Sequence, residues 1–207
     1  EYADTMRLQV AAAFAYGSDF EHSAERMRDT VSRLLFNVPI EYYLVLDVNG
    51  VGALADAVGG VEVVALQDVP KTDMREGQPY VLKGEQARQY VVERDEAVAW
   101  SAMDRLERQE QFMRAFASRF FDTVRADPFA AMGILDELDD QVLTDLGSSQ
   151  MAYLVSLYLR HGIGDLRAVT LEGESTYNEQ TGYEEYELDE DAVLRTLLDV
   201  YYEPVGA

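Results

Sequence analysis

Residues 82–111 read LKGEQARQYVVERDEAVAWSAMDRLERQEQ and form the most informative stretch of the chain. The first part, from Gly84 to about Glu93, is predicted to be a helix, and an irregular segment follows through Ser101. A long helix is then predicted from Met103 to Arg125. The arginines of this stretch lie close to the junction between the two predicted helices, so the junction is the first place to look for a site.

The charge of this stretch differs from that of the rest of the chain. Residues 88–125 contain seven arginines and seven acidic residues and are formally neutral, whereas the whole 207-residue chain has a net charge of −22. A neutral, arginine-rich island in an acidic protein is a place where an anion can bind. Only Lys71 and Lys83 are lysines. Arginine suits forked contacts to phosphate or carboxylate, although a genome-wide arginine bias explains the composition equally well.

Helical spacing sharpens this prediction. Arg105, Arg108, Gln109 and Phe112 lie on one face of the long helix, and Phe116 continues its apolar part. A polar head at the end of an aromatic wall suits an amphiphile with an anionic head group and an apolar tail. In the alternative interpretation, the arginines pair with neighbouring acids and the aromatic stripe is core. Spacing alone favours that alternative, because aromatic stripes of helical period are usually buried.

Outside this stretch, helices and strands alternate over the first half of the chain, which indicates an α/β layered fold. Further predicted helices cover residues 6–16, 22–36, 50–58 and 189–201, and predicted strands cover 42–48, 61–64 and 167–171. Ser148 or Ser149 is predicted to cap a helix that runs to Arg160, and Pro128 suits the start of another helix. Residues 66–80 are predicted to be a polar loop, and residues 177–186 a tyrosine-rich hairpin or loop.

Composition limits the class of protein. A chain of 207 residues with 48% hydrophobic content can bury one core, so we predict one domain over residues 1–207. The absence of cysteine excludes disulfides, zinc–thiolate sites and thiol nucleophiles. No window reaches the roughly 18 apolar residues that a membrane-spanning helix needs. The strongly negative net charge argues against binding to nucleic acid.

Five blocks of sequence, in the expected order, resemble motifs of the LytR–CpsA–Psr family. Residues 82–94 resemble its LnGeqALxYvRxR motif, and residues 104–111 resemble its DxxRxxRQqq segment, slightly shortened. Residues 54–63, 40–43 and 12–17 are similar to its lvDalGGVeV, IdyY and aAyayG blocks. The resemblance is strong over about residues 8–115 and looser over residues 167–201.

This resemblance implies a three-layer α/β/α fold with a central mixed sheet, apparently truncated at its N-terminus, and a lipid pocket between the sheet and its covering helices. The family comprises membrane-anchored enzymes outside the cytoplasmic membrane. They transfer glycopolymers from polyprenyl-pyrophosphate carriers to the cell wall, so the implied partners are such a carrier, peptidoglycan and, through an anchor absent from this chain, the membrane. No nucleic-acid partner is expected.

The resemblance also assigns residues to the site. By motif position, Arg94, Arg105 and Gln109 contact the pyrophosphate, and Arg108, on the same helical face, is a further candidate. Phe112 and Phe116 are candidates for the wall of the lipid pocket. Guanidinium groups suit this task because they neutralise charge on a pyrophosphate and on its leaving group.

Two departures from the family pattern leave catalysis open. The motif has arginine where this chain has Val92, so one head-group ligand is missing. The family's N-terminal strands, which bring an acidic residue and a PRD motif to the metal, are also absent. The resemblance therefore implies Mg²⁺ without identifying its ligands in this chain. A non-catalytic module that binds polyprenyl phosphate or glycan is accordingly an alternative to the transferase.

Three further interpretations complete the predictions. Transcription regulation, a historical label for such proteins, is disfavoured by the net charge and by the lack of a helix-turn-helix pattern. Asp56 matches a family position, but a structural role near the Gly59–Gly60 turn is the better prediction. Trp100 either packs over the site or belongs to the core, and the sequence does not separate these two roles.

Overall fold

The computed structural model describes residues 10–95, 97–98, 101–138, 140–161, 169–179 and 182–202. The chain divides into two compact units, one of residues 44–166 and one of residues 1–43 with residues 167–207. The single domain predicted from chain length stays a prediction.

Helices dominate the described residues. In chain order they are α1 (Phe20–Leu34), α2 (Val51–Ala57), α3 (Gly84–Val92), α4 (Ser101–Ala126), α5 (Ala130–Glu137), α6 (Ser148–His161) and α7 (Glu190–Tyr201). The strands are β1 (Leu44–Leu46), β2 (Val61–Val64), β3 (Pro79–Leu82), β4 (Val142–Thr144), β5 (Gly173–Asn178) and β6 (Tyr183–Leu188). Two 3-10 helices span Val10–Tyr16 and Val48–Gly50, the second leading directly into α2.

The strands of the described residues form three antiparallel pairs, β1–β4, β2–β3 and β5–β6. In β2, the buried side chains of Val61 and Val63 alternate with the exposed side chains of Glu62 and Val64. One face of the β2–β3 pair therefore covers the core and the other is exposed, which is the usual arrangement for an antiparallel pair.

The core of the unit of residues 44–166 is built mainly from α2, α3, the first half of α4, the end of α5 and the β2–β3 pair. Its most deeply buried members, each 0% exposed, are Ala55, Val61, Leu82, Ala87, Tyr90 and Leu138. Helices α2 and α3 approach closely because Gly52 has no side chain, and a Cβ at this position would lie 2.6 Å from the carbonyl oxygen of Gly84. Asp56 Oδ1 accepts a hydrogen bond of 3.1 Å from the backbone N–H of Gly84. The Asp56 side chain thus has a structural role, but at the start of α3 and not at the Gly59–Gly60 turn for which it was predicted.

A smaller cluster of buried residues lies in the second half of α4 and the helices that follow. Val124, Ala131 and Tyr158 are its buried members. The hydroxyl of Tyr158 donates a hydrogen bond of 3.0 Å to the carbonyl oxygen of Phe121, so α6 is tied to the backbone of α4.

The other unit combines α1, the β5–β6 hairpin and α7. Asp19 caps α1 by accepting a hydrogen bond of 2.9 Å from the backbone N–H of His22, and Asp189 caps α7 in the same way through Ala192. The 3-10 helix Val10–Tyr16 packs against α1. The buried apolar side chains of this unit are those of Ala24, Ala192, Val193 and Leu197.

The predicted α/β class and the likeness to the family fold are confirmed. The long helices predicted around residues 84–93 and 103–125 are present as α3 and α4. The described strands form three antiparallel pairs, where the resemblance implied one central mixed sheet.

Two local predictions were wrong. The loop predicted over residues 66–80 is shorter than expected, because its last two residues belong to β3, which begins at Pro79 and pairs with β2. Proline is tolerated at the first residue of a strand. Residues 169–171, the described part of the strand predicted over 167–171, are not a strand, and β5 begins at Gly173 instead. Its position is set by pairing with β6, in a register that runs from Gly173–Leu188 to Asn178–Tyr183.

Among the described residues, every helix is too short or too polar to span a membrane. Trp100 lies outside the described residues, as do residues 6–9 and 167–168 of the predicted elements.

Candidate anion-binding site

The candidate site lies where the C-terminal end of α3 meets the first half of α4. Arg108 of α4 is only 2% exposed. Its Nε donates a hydrogen bond of 2.9 Å to the carbonyl oxygen of Tyr90, and one terminal nitrogen donates to the carbonyl oxygen of Glu93. The other terminal nitrogen donates to Gln67 Oε1 at 3.3 Å, and the guanidinium carbon lies 6.0 Å from the centre of the Tyr90 ring.

These hydrogen bonds satisfy backbone carbonyl groups that the end of a helix leaves without a donor. The last carbonyl groups of a helix have no intrahelical donor and carry partial negative charge. Arg108 brings both hydrogen-bond donors and a positive charge to this end of α3. Burial lowers the pKa of Arg108, because desolvation penalises the charged guanidinium. The group nevertheless stays charged, since arginine does not lose its proton in proteins.

Gln109 and Gln111 strengthen the same junction. Gln109 Nε2 donates a hydrogen bond of 2.9 Å to the carbonyl oxygen of Val91. Gln111 accepts a hydrogen bond from the Tyr90 hydroxyl and donates one of 2.8 Å to the carbonyl oxygen of Val64 in β2. Three residues of α4 therefore hold the end of α3. An amide nitrogen has two hydrogens, so Gln109 keeps one for a further acceptor.

Arg105 differs from Arg108 although it precedes it by only one helical turn. Its side chain is partly exposed and makes no hydrogen bond or ion pair with the residues that the structure describes. Arg94, also partly exposed, follows the last residue of α3 by two positions. Arg94 directly follows Glu93, and Arg105 lies one helical turn before Arg108, so both arginines are next to residues that join α3 to α4. Of the two, Arg105 is the more available to a ligand.

Arg108 has no carboxylate partner among the described residues, since its three hydrogen bonds go to two carbonyl oxygens and one amide oxygen. A buried charge is normally paired with an opposite charge. Arg108 therefore differs from most buried cations in that, among the described residues, carbonyl and amide oxygens accept its hydrogen bonds and no carboxylate does.

Val92, the residue that replaces the arginine of the motif, lies at the last position of α3. Its side chain is partly buried and packs against the core. The neighbouring Glu93 is instead in extended conformation and forms an ion pair with Lys71, with 3.2 Å between Lys71 Nζ and Glu93 Oε2. Position 92 thus contributes packing where the motif would contribute charge.

The aromatic side chains of α4 are packed against one another. Phe112 is 2% exposed and belongs to the core, and Phe116 is partly buried against it. Their ring centres are 6.4 Å apart, and the Phe116 ring is 5.9 Å from that of Phe120. This is the placement of the core alternative, while a contact of Phe112 or Phe116 with lipid stays a prediction.

Gln67 and Lys71 were not identified from the sequence, although they contact the predicted site. Both belong to the loop between β2 and β3, which has no periodic pattern that would place it next to α3 and α4. The one available signal was that Lys71 is one of only two lysines.

The described residues contain no ligand set for the Mg²⁺ that the resemblance implies. They bring together no group of three His, Cys, Asp or Glu side chains that could hold a metal ion. No chemical step is therefore assigned to a metal.

The sequence model of the LytR_cpsA_psr family matches residues 2–198. No curated protein matches the sequence.

Solved structures resemble the chain over most of its length. A transcriptional regulator from Enterococcus faecalis has a TM-score of 0.73 and 25% identity, covering 92% of this chain and 67% of that chain. TagV from Bacillus subtilis has a TM-score of 0.70 and 22% identity, covering 98% of this chain and 79% of that chain. TagT bound to LI-WTA has a TM-score of 0.67 and 18% identity, covering 92% of this chain and 69% of that chain. At these identities the likeness to TagV and TagT is one of fold.

Proposed function

Since this chain belongs to the LytR–CpsA–Psr family, we propose that it binds a polyprenyl-pyrophosphate-linked glycopolymer at the α3–α4 junction and transfers the glycopolymer to the cell wall. The family and its structural neighbours support attachment of cell-wall glycopolymers in general. In this proposal the protein acts outside the cytoplasmic membrane, at the membrane surface, and peptidoglycan is the acceptor.

One observation carries the proposal: Arg108 is a buried cation without a carboxylate partner among the described residues, and the partly exposed Arg105 lies one turn away. Arg108 donates hydrogen bonds to carbonyl groups at the end of α3, so this helix end, which carries partial negative charge, repels an anion less. Arg105 and Arg94 are then the groups that contact the pyrophosphate, and the second amide hydrogen of Gln109 can donate to one of its oxygens.

In the proposed reaction, a hydroxyl group of the wall polymer attacks the phosphorus atom that bears the glycopolymer. A new oxygen–phosphorus bond forms, and the bond from that phosphorus to the bridging oxygen breaks. Polyprenyl phosphate leaves with the electron pair, and the hydroxyl proton passes to solvent. Arg105 and Arg94 stabilise the charge that develops on the leaving phosphate, since phosphoryl transfer depends mainly on positioning and electrostatic stabilisation.

Binding of geranylgeranyl pyrophosphate, measured by isothermal titration calorimetry in one fixed detergent, tests the site. We expect Arg105→Gln to weaken binding by roughly tenfold or more, which corresponds to the loss of a charge-assisted contact. The matched control is Arg114→Gln, because Arg114 lies nine residues along α4, on its opposite side, and pairs with Glu110. If the wild-type protein does not bind, or Arg105→Gln binds as tightly as the control, the proposed site is wrong.

A second candidate function is favoured by Val92, whose side chain packs against the core in place of a motif arginine. With one cation fewer, the site would retain a lipid-linked glycopolymer without transferring it. The assay is transfer of a labelled glycopolymer from its lipid carrier to isolated peptidoglycan. Transfer by the wild-type protein rejects the binding module, whereas binding without transfer supports it, and Val92→Arg should then restore turnover.

A further inference from the structure

The loop between β2 and β3 has a well-fixed turn next to the site. Val69 and Met74, 1% and 2% exposed, anchor it in the core. The backbone N–H of Val69 donates to the carbonyl oxygen of Met74 at 3.1 Å, and Thr72 Oγ1 donates to the carbonyl oxygen of Val69 at 2.8 Å. The turn that these bonds close has Lys71 near its tip.

Lys71 has an unusual conformation for a non-glycine residue. Its φ is 58°, in the left-handed region, which is unfavourable for an L-residue with a side chain. Its side chain is 76% exposed, and its ammonium group forms the ion pair with Glu93. Strained backbone in a well-anchored turn often marks a functional position.

The same loop also contacts the first half of α4. Gln67 Oε1 accepts a hydrogen bond from Arg108 at 3.3 Å, and Gln67 Nε2 donates one of 3.2 Å to Glu107. The loop therefore reaches both the end of α3, through Lys71, and the helix that bears Arg105. This brings to the junction a third cation that solvent can reach, on a different element from the two partly exposed arginines.

We propose that Lys71 is a further ligand of the anionic head group. The inference rests on the proposed function, because it adds a residue to the same site. An exposed ion pair such as Lys71–Glu93 is weak, so a pyrophosphate with several negative charges can draw the ammonium group away from Glu93. The flexible lysine stem allows this movement without a change in the turn. Lys71 then adds a cation close to position 92, where the motif arginine is missing.

The test measures geranylgeranyl pyrophosphate binding by calorimetry on the full chain. Lys71→Gln should weaken binding by roughly tenfold. The matched control is Lys83→Gln, because Lys83 is the other lysine, is exposed and lies at the opposite end of α3. Lys71→Gly, which suits the positive φ, should melt at or above the wild-type temperature and still bind as weakly as Lys71→Gln.

Variants of Glu93 distinguish a direct contact between Lys71 and the anion from an indirect effect, in which Lys71 only neutralises Glu93. If Lys71 contacts the anion, Glu93→Gln should bind more tightly than wild type, and Lys71→Gln should still weaken binding roughly tenfold in the Glu93→Gln background. If Lys71 only neutralises Glu93, the double variant will bind as tightly as Glu93→Gln alone, and the proposal is overturned. Equal binding by Lys71→Gln and wild type, with Arg105→Gln still defective, also overturns it while leaving the proposed function intact. Absence of binding by the wild-type protein would instead reject both.

Discussion

Arg105 and Arg108 lie one turn apart on α4, and the property that separates them is exposure to solvent. Arg108 is 2% exposed and bonded to the backbone of α3, whereas Arg105 is partly exposed and has no hydrogen bond or ion pair with the described residues. These environments assign Arg108 to positioning and Arg105 to contact with the ligand. A stability measurement can separate the two roles.

We predict that Arg108→Gln lowers the free energy of unfolding by roughly 2–4 kcal/mol, because the carbonyl groups of Tyr90 and Glu93 lose buried donors. Arg105→Gln should change it by less than about 0.5 kcal/mol, as is usual for a surface substitution. Urea unfolding followed by circular dichroism gives both values. An Arg108→Gln variant as stable as wild type would mean that these hydrogen bonds do not hold α3 to α4.

The residues of the candidate site could be predicted from the sequence. The sequence could not show which of them is buried and positions the helices and which is exposed to a ligand. The spacing of Arg105, Arg108 and Gln109 correctly placed all three on one face of a helix. Which of them is buried depends on where α3 ends in space, and that is decided by contacts between elements far apart in the chain. Gln67, for example, meets Arg108 across 41 positions of sequence.

At the level of elements, the close contact between α2 and α3 positions the end of α3 at the site. A Cβ at Gly52 would lie 2.6 Å from the carbonyl oxygen of Gly84, so the two helices cannot keep this distance with a larger residue. Asp56 holds the same end of α3 through the backbone N–H of Gly84. A displacement at the start of α3 should therefore also move Tyr90 and Val91, whose carbonyl oxygens accept hydrogen bonds from Arg108 and Gln109.

We predict that Gly52→Ala lowers the free energy of unfolding by roughly 1–3 kcal/mol, the usual range for overpacking, and also weakens binding of geranylgeranyl pyrophosphate. The matched control is Gly133→Ala, since Gly133 is also inside a helix but would have no atom within 4 Å of an added Cβ. This control should gain roughly 0.5–1 kcal/mol, because alanine favours a helix over glycine. Equal stability of the two variants would refute close packing of α2 on α3.

Elements with strong periodic patterns were predictable, and so was β2, whose predicted bounds of 61–64 agree with the structure, whereas β3 and β4 were missed. The spacing of apolar residues sufficed for α3 and α4. β3 and β4 are short, and their sequences PYVL and VLT lack the apolar–polar alternation that Val61, Glu62 and Val63 show in β2. Their strand character comes from pairing with β2 and β1, which is a long-range contact. The start of α1 was predicted at residue 22, but the helix begins at Phe20, because Asp19, which the prediction missed, caps it.

For the molecule as a whole, the dominant property is the net charge of −22, with a formally neutral arginine-rich segment at residues 88–125. Such a chain repels polyanions at long range and attracts an anion only at short range, where the arginines of the segment are close. This distribution suits a small, doubly charged head group and does not suit a nucleic acid, whose binding depends on many phosphate contacts at once.

This distinction matters because one solved structure that resembles the chain is of a protein described as a transcriptional regulator. We predict no gel shift of double-stranded DNA at physiological salt with about 10 µM protein, a concentration at which many DNA-binding proteins already bind non-specifically. A basic DNA-binding domain in the same gel is the positive control. A shift that persists when unlabelled competitor DNA of unrelated sequence is added would contradict the charge argument, since it would require specific contacts strong enough to overcome the repulsion. Without such a shift, the arginines of α4 remain available for an anion small enough to fit between them.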